Sequence, residues 1–216
     1  MLEIRNVSKS FGNRMIYNDI SYVFENGKTY SFTGKSGSGK STLLNMLAKL
    51  ESYDSGEILN HGKDIKIIKP SSYYRNDLGY LFQNYGLIEN ETIAYNLELG
   101  LVGKKVNKKD KEALLKQAME QVNLDYMSLK QKVYEISGGE YQRVAIAKLI
   151  LKNPEIILAD EPTASLDPDT ANTIIQLLLS LKNDHNIIVI ATHNLEICKF
   201  TDKKIKIEEK KLIELP

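Results

Sequence analysis

Residues 34–42 read Gly34-Lys35-Ser36-Gly37-Ser38-Gly39-Lys40-Ser41-Thr42. A glycine, four residues, then Gly-Lys-Ser is the pattern of a loop that wraps a polyphosphate. Glycines let successive backbone N–H groups turn inward, and a helix N-terminus behind them favours negative charge. In that pattern Lys40 reaches the β- and γ-phosphates, and the Ser41 hydroxyl ligates Mg²⁺. The flanks agree with the pattern. Lys28 to Thr33 read as a short strand after the turn Glu25-Asn26-Gly27. Thr42, Leu43, Leu44, Met46, Leu47, Ala48 and Leu50 form an apolar helical stripe, which Asp54-Ser55-Gly56 interrupts. Strand, glycine loop and helix are therefore expected over 29–50.

Ile156-Ile157-Leu158-Ala159-Asp160-Glu161 is a second informative stretch. Four apolar residues predict a buried strand with two carboxylates at its C-terminal end, where open α/β sheets bind ligands. Asp160 is placed to hold Mg²⁺ through water, and Glu161 to polarise an attacking water. Further on, Asp167–Lys182 read as helix, Ile187–Ala191 as strand and 194–200 as a short helix. Ile205-Lys206-Ile207 with Leu212-Ile213 read as a closing hairpin. Apolar strands alternating with helices predict a parallel sheet covered on both faces. Earlier, Leu2, Ile4 and Val7, then Tyr22-Val23-Phe24, read as strands, and Asp77 to Phe82 as another. The stretch 92–123 is helical around a Lys-rich turn at 103–109, with Leu114, Leu115, Ala118, Met119 and Val122 on one face.

A third motif, Ile136-Ser137-Gly138-Gly139-Glu140, precedes an apolar helix over 140–152. Ser137 is a good N-cap, and the two glycines expose backbone N–H groups at a helix start. A simple phosphate-loop kinase has no use for this second anion-binding helix end.

The bulk properties bound the answer. The chain has 216 residues, 42% of them hydrophobic and 26% charged, the balance of an ordinary globular domain. A single cysteine, Cys198, excludes an intrachain disulfide and a cysteine zinc site. No apolar run reaches the roughly 18 residues of a membrane span, and the start lacks a signal-peptide core. A cytosolic chain is expected. A net charge of +1 gives no reason to expect nucleic acid as a partner.

Phosphate loop, Ser-Gly-Gly-Glu and Asp-Glu strand, in that order, resemble the ATP-binding subunit of an ABC transporter over essentially the whole chain. The resemblance implies an α/β P-loop NTPase with a RecA-like core, an N-terminal antiparallel β-subdomain and a helical subdomain near 84–138. It implies further roles by position. Gln83 matches the Q-loop glutamine, linking Mg²⁺ and the lytic water to the helical subdomain. Asp167, in Ser165-Leu166-Asp167, matches the D-loop. His193 matches the switch histidine that contacts the γ-phosphate, and Phe11 the aromatic that stacks on adenine. Ser137, Gly138, Gly139 and Glu140 match the signature, with Ile136 for the common Leu and Glu140 for the common Gln. Asn194 stands where Asp is more frequent.

Within that family, Leu81–Thr92 with Asn96-Leu97, and Ala159–Asp167, are most similar to the macrolide-exporter/lipoprotein-release (MacB/LolD) type. Ile88–Thr92 is similar to bacteriocin-export ATPases of the lactococcin group. The resemblance implies ATP and Mg²⁺ as cofactors, an ATP-dependent head-to-tail homodimer, and a separate transmembrane permease at the cytoplasmic face of the membrane. It places Asn84, Tyr85, Leu87 and Ile88 in a groove for that permease. A soluble assembly ATPase, or an ATPase that transmits force to a cell-wall partner without transport, stays open as an alternative.

Overall fold

The computed structural model describes residues 1–82 and 86–216. The chain divides into two compact units. One comprises Met1–Tyr80, Glu155–Glu161 and Lys182–Pro216, and the other Leu81–Pro154 and Pro162–Leu181.

The first unit opens with strands β1 (Leu2–Phe11) and β2 (Arg14–Phe24), joined by a tight turn. Strand β3 (Lys28–Thr33) and helix α1 (Lys40–Leu47) flank the glycine loop, as the pattern around residues 34–42 predicts. Strands β4 (Ser55–Asn60) and β5 (Lys63–Asp64) follow. One-turn helix α2 (Pro70–Ser72) and a wide turn over Tyr73–Asp77 lead into β6 (Leu78–Leu81). An antiparallel sheet has the order β2-β1-β4-β5. This is the expected β-subdomain, but β4 is an addition to the sequence reading. Asp54-Ser55-Gly56, a break by composition, is where β4 starts: Ser55 pairs with Ser8, and Ile58 with Ile4.

The second sheet has the order β10-β9-β3-β8-β7-β6. Here β7 is Ile156–Asp160, β8 Ile187–Ala191, β9 Lys203–Glu208 and β10 Lys211–Leu215. Strands β9, β3, β8 and β7 run parallel, and β10 closes the edge as an antiparallel hairpin. Every residue of β8 and the first four of β7 are buried, which explains their unbroken apolar sequence. Leu2, Ile4, Phe24, Tyr30 and Phe32 share one core with Leu43, Leu44, Met46, Leu158 and Val189. Phe24 and Tyr30 meet edge-on with ring centroids 5.0 Å apart.

The second unit is helical: α3 (Ile93–Glu98), α4 (Lys108–Gln121), α5 (Gly138–Lys152) and α6 (Pro168–Ser180). Thr92, Asn107, Ser137 and Asp167 cap them through side-chain oxygens. On α4, Leu115, Ala118 and Met119 are buried, with Val122 just beyond. Helix α5 buries residues on all sides, from Tyr141 to Leu151. Short helix α7 (Leu195–Cys198) belongs to the first unit, and Cys198 is buried there. No helix among the described residues is long and apolar enough to cross a membrane.

Candidate nucleotide site

The loop from Gly34 to Gly39 leaves β3 and enters α1. Ser38 N–H donates to Lys35 O at 3.0 Å, closing a turn within it, while Lys35, Ser36 and Gly37 face solvent. Gly39 carries a backbone φ of 112°, and a Cβ there would lie 2.8 Å from Ile16 Cγ2 and the Tyr17 hydroxyl. Only glycine fits, because both the conformation and the space forbid a side chain. Lys40 is buried, and its ammonium donates to Gly34 O at 3.1 Å. Ser41 is exposed and Thr42 half-buried at the first turn of α1.

Among the described residues, two side-chain oxygens at this place are buried without a hydrogen-bond partner, Ser38 Oγ and Asp160 Oδ1. Buried polar atoms are rarely left unpaired unless something else satisfies them. Asp160 ends β7 and hydrogen-bonds Ser41. Burial pushes its carboxyl up, the Ser41 bond opposes that, the Glu161 charge adds to it, and Lys40 counters it. An orphaned carboxylate oxygen beside a serine hydroxyl suits a hard divalent cation with oxygen ligands and retained waters. The residues present therefore fit Mg²⁺ on a nucleotide.

Glu161 follows at a left-handed backbone φ of 47°, its N–H bonded to Ala191 O at 2.9 Å. A non-glycine residue held this way costs about 1–3 kcal/mol and marks sites where geometry matters. Glu161 Oε2 lies 2.9 Å from His193 Nδ1. The imidazole is otherwise exposed, and Glu161 is mostly enclosed. Asn194 accepts from Glu196 N–H at 2.9 Å and caps α7, so the asparagine in place of the commoner aspartate still does a cap's work.

Phe11 stands at the end of β1, 46% exposed, with the Lys9 ammonium 4.4 Å from its ring centroid. Lys9 is itself buried and paired with Glu51 at 2.6 Å. Three residues of this site escaped the sequence reading: Arg14, Tyr17 and Tyr80. Tyr17 donates to Gly39 O and Arg14 to Gly37 O, and Tyr80 donates to Asn45 Oδ1 on α1 at 2.9 Å. The loop motif gives no signal for them, because their contacts come from other strands.

The glycine loop, the end of β7 and His193 all lie in the first unit. Ser137, Gly138, Gly139, Glu140 and Asp167 lie in the second. There Ser137 caps α5 reciprocally: Glu140 N–H donates to Ser137 Oγ, and Glu140 Oε2 accepts from the Ser137 N–H and hydroxyl, each at 2.8 Å. The Tyr126 hydroxyl holds the other Glu140 oxygen at 2.8 Å. These bonds, the Ser137 N–H foremost, hold the Glu140 carboxyl below its ordinary range. Asp167 caps α6 by accepting from Thr170 N–H at 3.0 Å, and bonds to Thr170 hold its carboxyl low too. The same Thr170 lies against the signature, since a Cβ on Gly139 would sit 2.8 Å from its methyl group.

Gln83, with Asn84 and Tyr85, lies outside the described residues. Leu87 corrects the groove expectation: it is buried, and its carbonyl accepts from the Tyr141 hydroxyl at 3.2 Å. Ile88 is 45% exposed and remains at the surface.

A family model for the ABC transporter matches residues 17–164. The chain belongs to this family, and the domain it forms is an ABC-type ATP-binding cassette, an ATP-hydrolysing class. A methionine import ATP-binding protein, MetN of Clostridium acetobutylicum, is 38% identical over 202 residues, 92% of this chain and 63% of the relative. The chain thus spans less than two thirds of that relative's length. A phosphonates import ATP-binding protein, PhnC of Lactobacillus johnsonii, is 34% identical over 99% of this chain and 89% of its own. The dimeric structure of MJ0796, a bacterial ABC transporter cassette, matches with a TM-score of 0.89 at 30% identity, covering 100% of this chain and 98% of that one. A post-hydrolysis dimer of MJ0796 bound to ADP and Pi matches at 0.88 and 29% identity.

Proposed function

We propose that this chain, as one cassette over 1–216, binds MgATP on the loop 34–42 and hydrolyses it to power a separate membrane permease. The observation that carries this is the pair of buried, unpartnered oxygens, Ser38 Oγ and Asp160 Oδ1, beside Lys40 and Ser41. Loop amides and Lys40 bind the phosphates. Ser41, Asp160 and Gln83 would hold Mg²⁺, which neutralises charge on the β- and γ-phosphates. Glu161 takes a proton from the attacking water, and His193 keeps that carboxylate in place. Phe11 stacks on adenine.

The site is completed by a second copy placed head to tail, whose Ser137, Gly138, Gly139 and Glu140 close over the γ-phosphate, with Asp167 at the same interface. The dimeric form of the MJ0796 structures supports a pair. The permease holds the pair at the cytoplasmic face of the membrane, and nucleic acid has no part in the cycle. Similarity of Ile88–Thr92 to bacteriocin exporters supports outward transport of an amphipathic peptide. Similarity to MetN and PhnC, import ATP-binding proteins for methionine and phosphonates, favours a second reading, import of a small solute.

Two experiments test the proposal. Specific ATPase activity should rise with protein concentration, because MgATP joins two half-sites. A flat specific activity at dilutions where only monomer is present overturns the shared site. Reconstitution with the permease then separates the readings. ATP-driven release of a labelled peptide from vesicles supports export, and accumulation of a small solute supports import.

A further inference from the structure

The first residues of β2 are fastened to the glycine loop at two points that differ in kind. Tyr17 is fully buried, and its single hydroxyl proton goes to Gly39 O at 2.9 Å. Arg14 is exposed at the start of β2 and donates one N–H to Gly37 O at 3.0 Å. A guanidinium carries five donors in a rigid fork. Among the described residues, that one bond is the only hydrogen bond the Arg14 side chain makes, and no carboxylate pairs with it. Arg5, by contrast, is matched by Glu3 and Glu57. An uncompensated cation with spare donors thus stands at the rim of an anion-binding loop.

Its place along the bound nucleotide follows from its neighbours. Phe11 lies at the other end of the turn joining β1 and β2 and offers an exposed ring. Lys40 lies at the opposite end of the loop, folded onto Gly34 O. An adenine on Phe11 and terminal phosphates at Lys40 leave the ribose and α-phosphate to span the stretch between. Arg14 is the side chain that bridges that stretch, from the turn to Gly37. We propose that Arg14 is a nucleotide-contacting residue whose remaining N–H groups bind the ribose–α-phosphate part of ATP. The proposal rests on the reading of 34–42 as the ATP site. The planar fork suits a phosphate better than a lysine's point charge does.

Binding of MgATP, MgADP and magnesium pyrophosphate to Arg14→Ala, Arg14→Lys and wild type tests this, with thermal midpoints measured for each. Arg14→Ala should weaken both nucleotides by about 10- to 100-fold, the range of a charge-assisted hydrogen bond. Pyrophosphate, which lacks the ribose and α-phosphate, should bind it as it binds wild type. Arg14→Lys should fall between. Unchanged nucleotide affinity in Arg14→Ala overturns the contact. An equal loss for pyrophosphate also overturns it, because Arg14 would then only brace the loop. If Arg14→Ala does not fold, Arg14→Lys decides by the same comparison. Failure of wild type to bind MgATP strikes instead at the ATP site itself.

Discussion

His193 Nδ1 and Glu161 Oε2 lie 2.9 Å apart, and the His193 N–H faces the same oxygen at 3.4 Å. The second residue after β8 thus grips the residue after β7, and it grips one whose backbone is already in the left-handed region at φ 47°. Such a grip fixes where the carboxylate sits.

Glu161→Gln keeps the shape and removes the base. Hydrolysis should fall by about 10²- to 10⁴-fold with MgATP affinity near wild type, leaving a dimer trapped with ATP. His193→Ala should lower kcat less, since it removes the hold on Glu161 and leaves the carboxylate itself in place. Turnover by Glu161→Gln within about threefold of wild type would rule out the general-base role. Single-turnover ATPase and gel filtration read both.

Lys40→Ala and Asp160→Asn should separate charge from metal. The first removes a direct cation from the phosphates and should abolish nucleotide binding with or without Mg²⁺. The second leaves the loop intact and should weaken MgATP far more than metal-free ATP. Equal loss in both conditions for Asp160→Asn would detach that residue from Mg²⁺. Equilibrium binding of a fluorescent ATP analogue, with Mg²⁺ or with a chelator, makes the comparison.

Glu140 places an ionised carboxylate in the first turn of α5, where it offsets the positive helix end. Glu140→Gln keeps an oxygen for the Ser137 N–H and drops the charge. Charge at a helix end is worth about 0.3–1 kcal/mol, so ATP-driven pairing should tighten by about two- to fivefold. Sedimentation of hydrolysis-deficient protein with MgATP measures it, and weaker pairing contradicts it.

Leu87 and Ile88 are neighbours with opposite fates. Leu87→Arg would bury an unpaired charge and should unfold the helical unit or sharply lower its thermal midpoint. Ile88→Arg sits on the surface, and should leave midpoint and basal ATPase unchanged while weakening permease association. Normal permease binding by a folded Ile88→Arg moves the coupling surface elsewhere.

Lys148 donates to Gly86 O at 2.8 Å, and burial, aided by the Lys152 charge, pushes its ammonium down to about 8. Its folded pKa therefore lies below the ordinary 10.5, and between these values the unfolded chain binds more protons. Stability from this group rises with pH across that window, and is lowest below it. Lys148→Met lacks the effect. Wild type should gain thermal stability relative to the variant as pH rises from 8 towards 10.5. Parallel curves over that range would contradict the burial penalty.

Sequence alone determined the strand–loop–helix unit, the buried Asp-Glu strand, the signature cap and the closing hairpin. Each is written within a few residues: glycine spacing, an unbroken apolar run, a serine three residues before a glutamate. Tertiary structure decided the rest, because the partners are far apart in the chain. Asp54-Ser55-Gly56 reads as a break until β1, some fifty residues earlier, pairs with the strand that starts at Ser55. Leu87 reads as a groove residue until the fold buries it and Tyr141 takes its carbonyl. Arg14 and Tyr17 read as ordinary strand residues, and only the folded β-subdomain brings them to Gly37 and Gly39. Even Glu161, legible as a carboxylate in the right place, meets Ala191 at the end of β8 and His193 just beyond it only when segments some thirty residues apart come together. Local chemistry can be read along the chain; the contacts that hold that chemistry in position exist only when distant segments meet.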